Sequence, residues 1–238
     1  AAMVAVAFIA LSAQFNFNAQ HYLPYASFLG ALSVTSLVYL VSKQQKQINI
    51  NTLILVGVAI NALAFAVIGL LSFYADDSAL RLINYWTMGS LGGASWDNIK
   101  QASPLLLLSL IGLWRLKEPM NLLLIGESQA QYLGVDTSKL KLYVIILVAL
   151  GVGAVVALTG LIGFVGLVVP HIARLMVGPH LRNMLPLCML LGLIVLLLSD
   201  WLARLVVMPA ELPIGIITAL LGAPLFIYLI IKNKRDWS

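Results

Sequence analysis

LYVIILVALGVGAVVALTGLIGFVGLVV, residues Leu142 to Val169, is the stretch on which the fold turns. A helix crosses a bilayer in about 20 apolar residues, so this run is too long for one untilted span and too short for two full ones. It carries Gly151, Gly153, Gly160, Gly163 and Gly166, and it divides best near Thr159-Gly160. Leu142 to Leu158 is then one span and Ile162 to Val177 a shorter one. Pro170 either kinks the second or marks a helix start.

The rest of the chain is as apolar. Of 238 residues, 61% are hydrophobic and 10% charged, with a mean hydropathy of +1.00. A soluble domain has about 25% charged residues. The class is therefore all-α, a polytopic helical membrane protein: the apolar runs are continuous, where a barrel would alternate with period two. The net charge of +5 is no nucleic-acid signal, because the cations sit at the ends of apolar runs and form no stripe. The single cysteine, Cys188, excludes an intrachain disulfide and reads as a small buried hydrophobe.

Working outward from the opening run, further spans are expected over Leu23–Val41, Leu53–Tyr74, a segment centred on Pro104–Trp114, Leu185–Val207 and Ile214–Ile231. Turns follow at Gly178–Arg182 and Met208–Pro213. Leu80–Lys100 mixes Tyr85, Trp86 and Trp96 with glycines and suits the headgroup level. Ala1–Ala13 is apolar but short, has no Met at position 1 and no basic start, and Gln14–His21 is a polar loop. The expectation is eight crossings in a chain that lacks the N-terminus of a longer protein.

Charge sets the orientation. If the loops alternate sides, one set holds Lys43, Lys46, Arg115, Lys117, Lys139, Lys141, Arg174, Arg182, Lys232, Lys234 and Arg235. The other holds only Arg81, Lys100 and Arg204. The rich side is cytoplasmic. It includes the C-terminus and the longest polar interval, Arg115–Lys141. Dividing Leu142–Val177 in two is what keeps Arg174 and Arg182 on that side.

Arg115–Lys141 reads RLKEPMNLLLIGESQAQYLGVDTSKLK. From Asn121 to Leu133 it has helical periodicity, with Leu122, Ile125, Gln129 and Leu133 on one face and Glu127 and Gln131 on another. A short amphipathic helix between two spans is a surface built to touch something, here a motor subunit. Within the spans, Gly57, Asn61 and Ala64 share one side, and Gly151, Ala154 and Ala157 share another. Small faces allow close packing. Asn61 is the best pore candidate, because an amide in lipid needs a partner or water. Asp200 and Arg204 form an i,i+4 pair. His21, His171 and His180 make no metal or catalytic pattern, and no catalytic residue is expected. Few ionisable residues interrupt the spans, which weighs against an ion-coupled carrier.

Several stretches resemble one family. They are WTMGSLGGASW at Trp86–Trp96, GESQAQYLGV at Gly126–Val135, GLIGFVGLVVPHIARLMVGPHLRNMLP at Gly160–Pro186, SDWLAR at Ser199–Arg204 and AELPIGIITALLGAPLFIYLI at Ala210–Ile230. In that order they are similar to the FecCD-type permeases, membrane subunits of type II ABC importers for iron-siderophores, haem and cobalamin. The family has ten spans, and this chain resembles the last eight, one permease domain over residues 1–238. The resemblance implies a bacterial inner-membrane protein that pairs with a second copy or a sister permease. It further implies two ATPase subunits below and a periplasmic or lipoprotein substrate-binding protein above. ATP would be used by the partner, and no cofactor by this chain.

Carried over residue by residue, residues 115–141 form the cytoplasmic coupling loop, with Gly126, Glu127, Ala130, Leu133 and Gly134 meeting the ATPase. Gly57, Asn61 and Ala64 line the translocation path, and Arg204 and Arg81 dock the binding protein. The expected substrate is a ferric siderophore; haem, cobalamin or molybdate would use the same scaffold. The rivals from other classes are an ion-coupled secondary transporter and a membrane anchor without transport.

Overall fold

A computed structural model describes residues 23–44, 47–48, 50–207 and 212–235. The expectations for residues 1–13 and 14–21, and part of the turn at 208–213, lie outside them. Nine α-helices occur among the described residues: α1 Leu23–Ser42, α2 Ile50–Tyr74, α3 Asp77–Met88, α4 Trp96–Leu122, α5 Glu127–Tyr132, α6 Thr137–Thr159, α7 Val165–Val177, α8 Leu181–Val206 and α9 Ile214–Arg235. Between α1 and α2, Lys43–Gln44 and Gln47–Ile48 form a two-residue antiparallel ladder. Thr52–Tyr74, Thr137–Thr159 and Leu181–Val206 are long and apolar enough to cross a membrane, and shorter apolar helices accompany them. Large side chains along α2, from Ile54 to Phe73, are mostly exposed, an apolar area too large for water to cover.

The contacts gather the chain into two compact units, residues 1–87 with 93–160 and residues 88–92 with 161–238. In the first, α6 packs on α1 and α4. Glycines make this possible. A Cβ on Gly151 would sit 2.5 Å from Ser109 Oγ, and one on Gly153 would sit 3.2 Å from Phe28 Cα and Ala31 Cβ. At the α4 crossing the Ser109 hydroxyl donates to the Leu147 carbonyl at 2.7 Å, so a polar group between apolar helices is satisfied. At the end of α2, Ile68 packs with Ile83 of α3, and Asp76 accepts the Ala79 N–H at 2.9 Å to start that helix.

In the second unit three segments meet backbone to backbone. The Ile214 N–H donates to Gly89 O at 3.1 Å. A Cβ on Gly89 would fall 2.4 Å from Leu161 O, and one on Gly215 would fall 2.1 Å from Met88 O. Only glycine at both positions lets these chains approach so closely. Gly89 also has φ +70°, a backbone shape that disfavours other residues.

The stretch between α6 and α7 breaks where the sequence places the break. Gly160 ends α6 at φ +69°, and Phe164 has φ +65°, the one non-glycine residue with positive φ among those described. The Val165 N–H bonds Gly163 O at 2.8 Å, closing a γ-turn around Phe164. A bulky residue there costs about 1–3 kcal/mol. Its Cβ lies where Gly222 of α9 leaves room, 2.7 Å from the position a Cβ would take. Helix α7 has 13 residues, about 20 Å of rise, short of a hydrocarbon core of about 30 Å.

Three sequence expectations change. Leu80–Lys100 is not one segment: α3 ends at Met88, Gly89–Ser95 is not helical, and α4 begins at Trp96, capped by Ser95 accepting the Asn98 N–H at 3.3 Å. Residues 115–122 are no loop but the last turns of α4, which runs on through Pro119. Pro104 is absorbed inside α4, where the Ser103 hydroxyl donates to the Lys100 carbonyl that proline, having no N–H, leaves free. Asn121–Leu133 is not one helix either. It is the end of α4, a 3-10 turn over Leu123–Ile125, a break at Gly126, and α5.

Candidate functional site: the α5 turn

Helix α5 has six residues, far too few to hold together on its own. Its surroundings fix it. Gly126 precedes it at φ 121°, ψ 151°, a conformation open essentially to glycine alone. At the other end Gly134, at φ +87°, donates to Gln131 O at 2.9 Å, and Val135 donates to Ala130 O at 3.0 Å. That is the paired Schellman arrangement, which satisfies carbonyls a helix end leaves free.

Side chains complete the frame. The Lys141 ammonium donates to Glu127 Oε1 at 2.5 Å, and the Gln131 amide donates to the Thr137 hydroxyl at 2.9 Å. Both bonds tie α5 to the first turn of α6. That turn is capped by Asp136, whose carboxylate accepts the Lys139 N–H at 3.1 Å. This N–H, and then the hydrogen bond from the Lys139 ammonium, hold the Asp136 carboxyl below its ordinary pKa.

The frame sorts the five residues carried over for coupling. All five lie in this one turn. Ala130 is fully buried, so it seats the helix inward. Glu127 is turned toward Lys141, with 40% of its side chain exposed. Gly126 and Gly134 shape the ends, and Leu133 is exposed. Sequence reasoning did not single out Tyr132, which is 91% exposed, or Leu124; Ile125, which it placed on one face of the helix, is also exposed. The signal was there: Gly126 resets the helical phase, so positions before and after it do not share a face.

The other predicted sites are placed as follows. Along α2, Gly57 and Ala64 are half-buried and Asn61 is exposed, and a Cβ on Gly57 would meet open space. The three follow one stripe of the helix. Arg204 donates to Asp200 Oδ2 at 2.9 Å, so the expected i,i+4 pair forms on α8. Arg81 is exposed on α3. The two arginines lie in different compact units. His171 Nε2 is buried without a hydrogen-bond partner among the described residues, and its ring meets Phe226 edge-on at 6.1 Å between centroids. Among the described residues no group of three His, Cys, Asp or Glu side chains could hold a metal ion.

Long apolar helices, breaks at glycine and a polar turn between two apolar helices define a polytopic helical membrane protein. The model of the FecCD transport family matches residues 1–232, and the chain belongs to that family. It is 42% identical over 213 residues to the hemin transport system permease protein of Yersinia pestis, covering 89% of this chain and 63% of that one. It is 40% identical over 214 residues to the vitamin B12 import system permease protein of Vibrio cholerae, covering 87% and 62%. The chain thus spans less than two thirds of the length of these relatives. A solved structure described as an inward-facing conformation of a metal-chelate type ABC transporter superposes with a TM-score of 0.85 at 35% identity, over 97% of this chain and 73% of that one.

Proposed function

We propose that this chain is the permease of an ATP-driven importer of a metal chelate in a bacterial inner membrane. The observation that carries the reading is the family match across residues 1–232, joined to a rigid turn that presents Tyr132 and Leu133. In this reading an ATPase subunit seats on α5 and a binding protein delivers substrate on the opposite side. A second copy or a sister permease completes the path, with the α2 stripe of Gly57, Asn61 and Ala64 facing it. Arg204, and Arg81 with it, meet acidic groups of the binding protein. The positive-inside count supports a cytoplasmic location for α5 and the C-terminus.

The relatives handle hemin and vitamin B12, both metal-bearing macrocycles, and the substrate class proposed here is a chelate of that kind. A ferric siderophore is a further member of the same class. Reconstitution with an ATPase and a binding protein of the same importer tests the proposal. Uptake of hemin, cobalamin or a ferric siderophore should require ATP hydrolysis. Uptake that persists without the ATPase but collapses with the proton gradient would make the chain an ion-coupled carrier instead.

A further inference from the structure

Helix α5 is joined to its two neighbouring spans in different ways. Toward α6 it is fastened by side chains, Glu127 to Lys141 and Gln131 to Thr137, and by the Schellman bonds that run straight into the capped start of α6. Thr137 and Leu140 of that start are buried, as is Ala130 beneath α5. Toward α4 the link is a 3-10 turn and Gly126, whose φ of 121° glycine alone holds without strain. One side is a bracket and the other a pivot.

We infer that α5 and the base of α6 move as one body about Gly126, so that Lys141 and Thr137 are positioning residues that pass motor movement into α6. From there the movement reaches α4 through the Ser109–Leu147 hydrogen bond and α1 through the contact at Gly153. The inference rests on the reading of α5 as the ATPase seat. It goes beyond that reading by naming which span is driven and which residues do the driving. Neither Lys141 nor Thr137 presents itself to the partner: Thr137 is buried, and the Lys141 side chain is 15% exposed.

The test is hydrogen exchange on the permease bound to its partner ATPase in lipid nanodiscs, with and without ATP and vanadate. In the unaltered complex, nucleotide trapping should change exchange both in residues 127–132 and in the first turns of α6. Lys141→Met and Thr137→Val, made separately, should leave the response of 127–132 in place. Each should cut that of α6 by about threefold, the effect of losing one net hydrogen bond. The conservative Lys141→Arg, which keeps the ion pair with Glu127, should preserve it. An α6 response unchanged in the Lys141→Met, Thr137→Val double variant overturns the bracket while leaving the seat intact. If residues 127–132 respond neither to the ATPase nor to nucleotide in any form of the protein, the seat falls and the bracket with it.

Discussion

Gly215→Ala is the sharpest test of how the second unit is built. The added methyl would lie 2.1 Å from Met88 O and 3.4 Å from Leu161 O, both backbone atoms that no rotamer change can move aside. Overpacking of this kind costs about 1–3 kcal/mol. Relief requires the start of α9 to retreat, which lengthens the 3.1 Å bond from the Ile214 N–H to Gly89 O. Losing that bond costs about 0.5–1.5 kcal/mol more. The sum, about 1.5–4.5 kcal/mol, corresponds to a fall of about 3–18 °C in Tm for a chain of this length. Thermal unfolding in detergent, followed by tryptophan fluorescence, measures it. Gly192→Ala on α8, where a Cβ meets nothing within 4 Å, is the control and should hold or slightly raise Tm. A Gly215→Ala protein that melts with wild type would refute the close approach and, with it, the account of the junction.

Three further outcomes are expected. Ala130→Trp forces a large ring into a fully buried position. It should cost about 1–3 kcal/mol or more and abolish copurification of the ATPase, as read by pull-down from membranes. Gly126→Ala should cost about 1–3 kcal/mol through its φ of 121°, seen as faster protease cleavage between α4 and α5. The Asp136 carboxyl is held below its usual pKa chiefly by the Lys139 N–H. Its contribution is therefore complete above the ordinary value of about 3.9 and fades as pH falls through the lowered one. Between pH 6 and pH 3, Asp136→Asn should lose less Tm than wild type, because an asparagine cap does not titrate.

Much of the fold can be read from the chain because membrane helices obey a simple length rule. The break at Thr159-Gly160 is legible since an apolar run of that length fits no single crossing, and Gly160 takes the positive φ that ends α6. Residues 115–122 are misread for an instructive reason: charges mark where a helix leaves lipid, and helix α4 continues past that point. The junction of Met88–Gly89, Leu161 and Gly215 is invisible in the sequence. Its partners lie far apart along the chain, and a glycine does not announce what it lies against. The candidate site is legible in outline only. Gly126 and Gly134 bound the turn, yet the inward seat of Ala130, the exposure of Tyr132 and the Glu127–Lys141 pair, 14 residues apart, depend on the phase that Gly126 resets.

The γ-turn at Phe164 also matters before the protein is finished. A continuous helix from Thr137 to Val177 would be about 60 Å long, twice the thickness of the hydrocarbon it must enter. As the nascent chain inserts, the run must either bend back or leave greasy residues in water. The strained turn interrupts the helix, so the segment forms two helices and not one long rod. A substitution that let residues 160–164 become helical would do more than soften one corner: it would threaten to send α8 and α9 through the bilayer in the opposite sense, and glycosylation or cysteine-accessibility tags on the C-terminus would report the reversal.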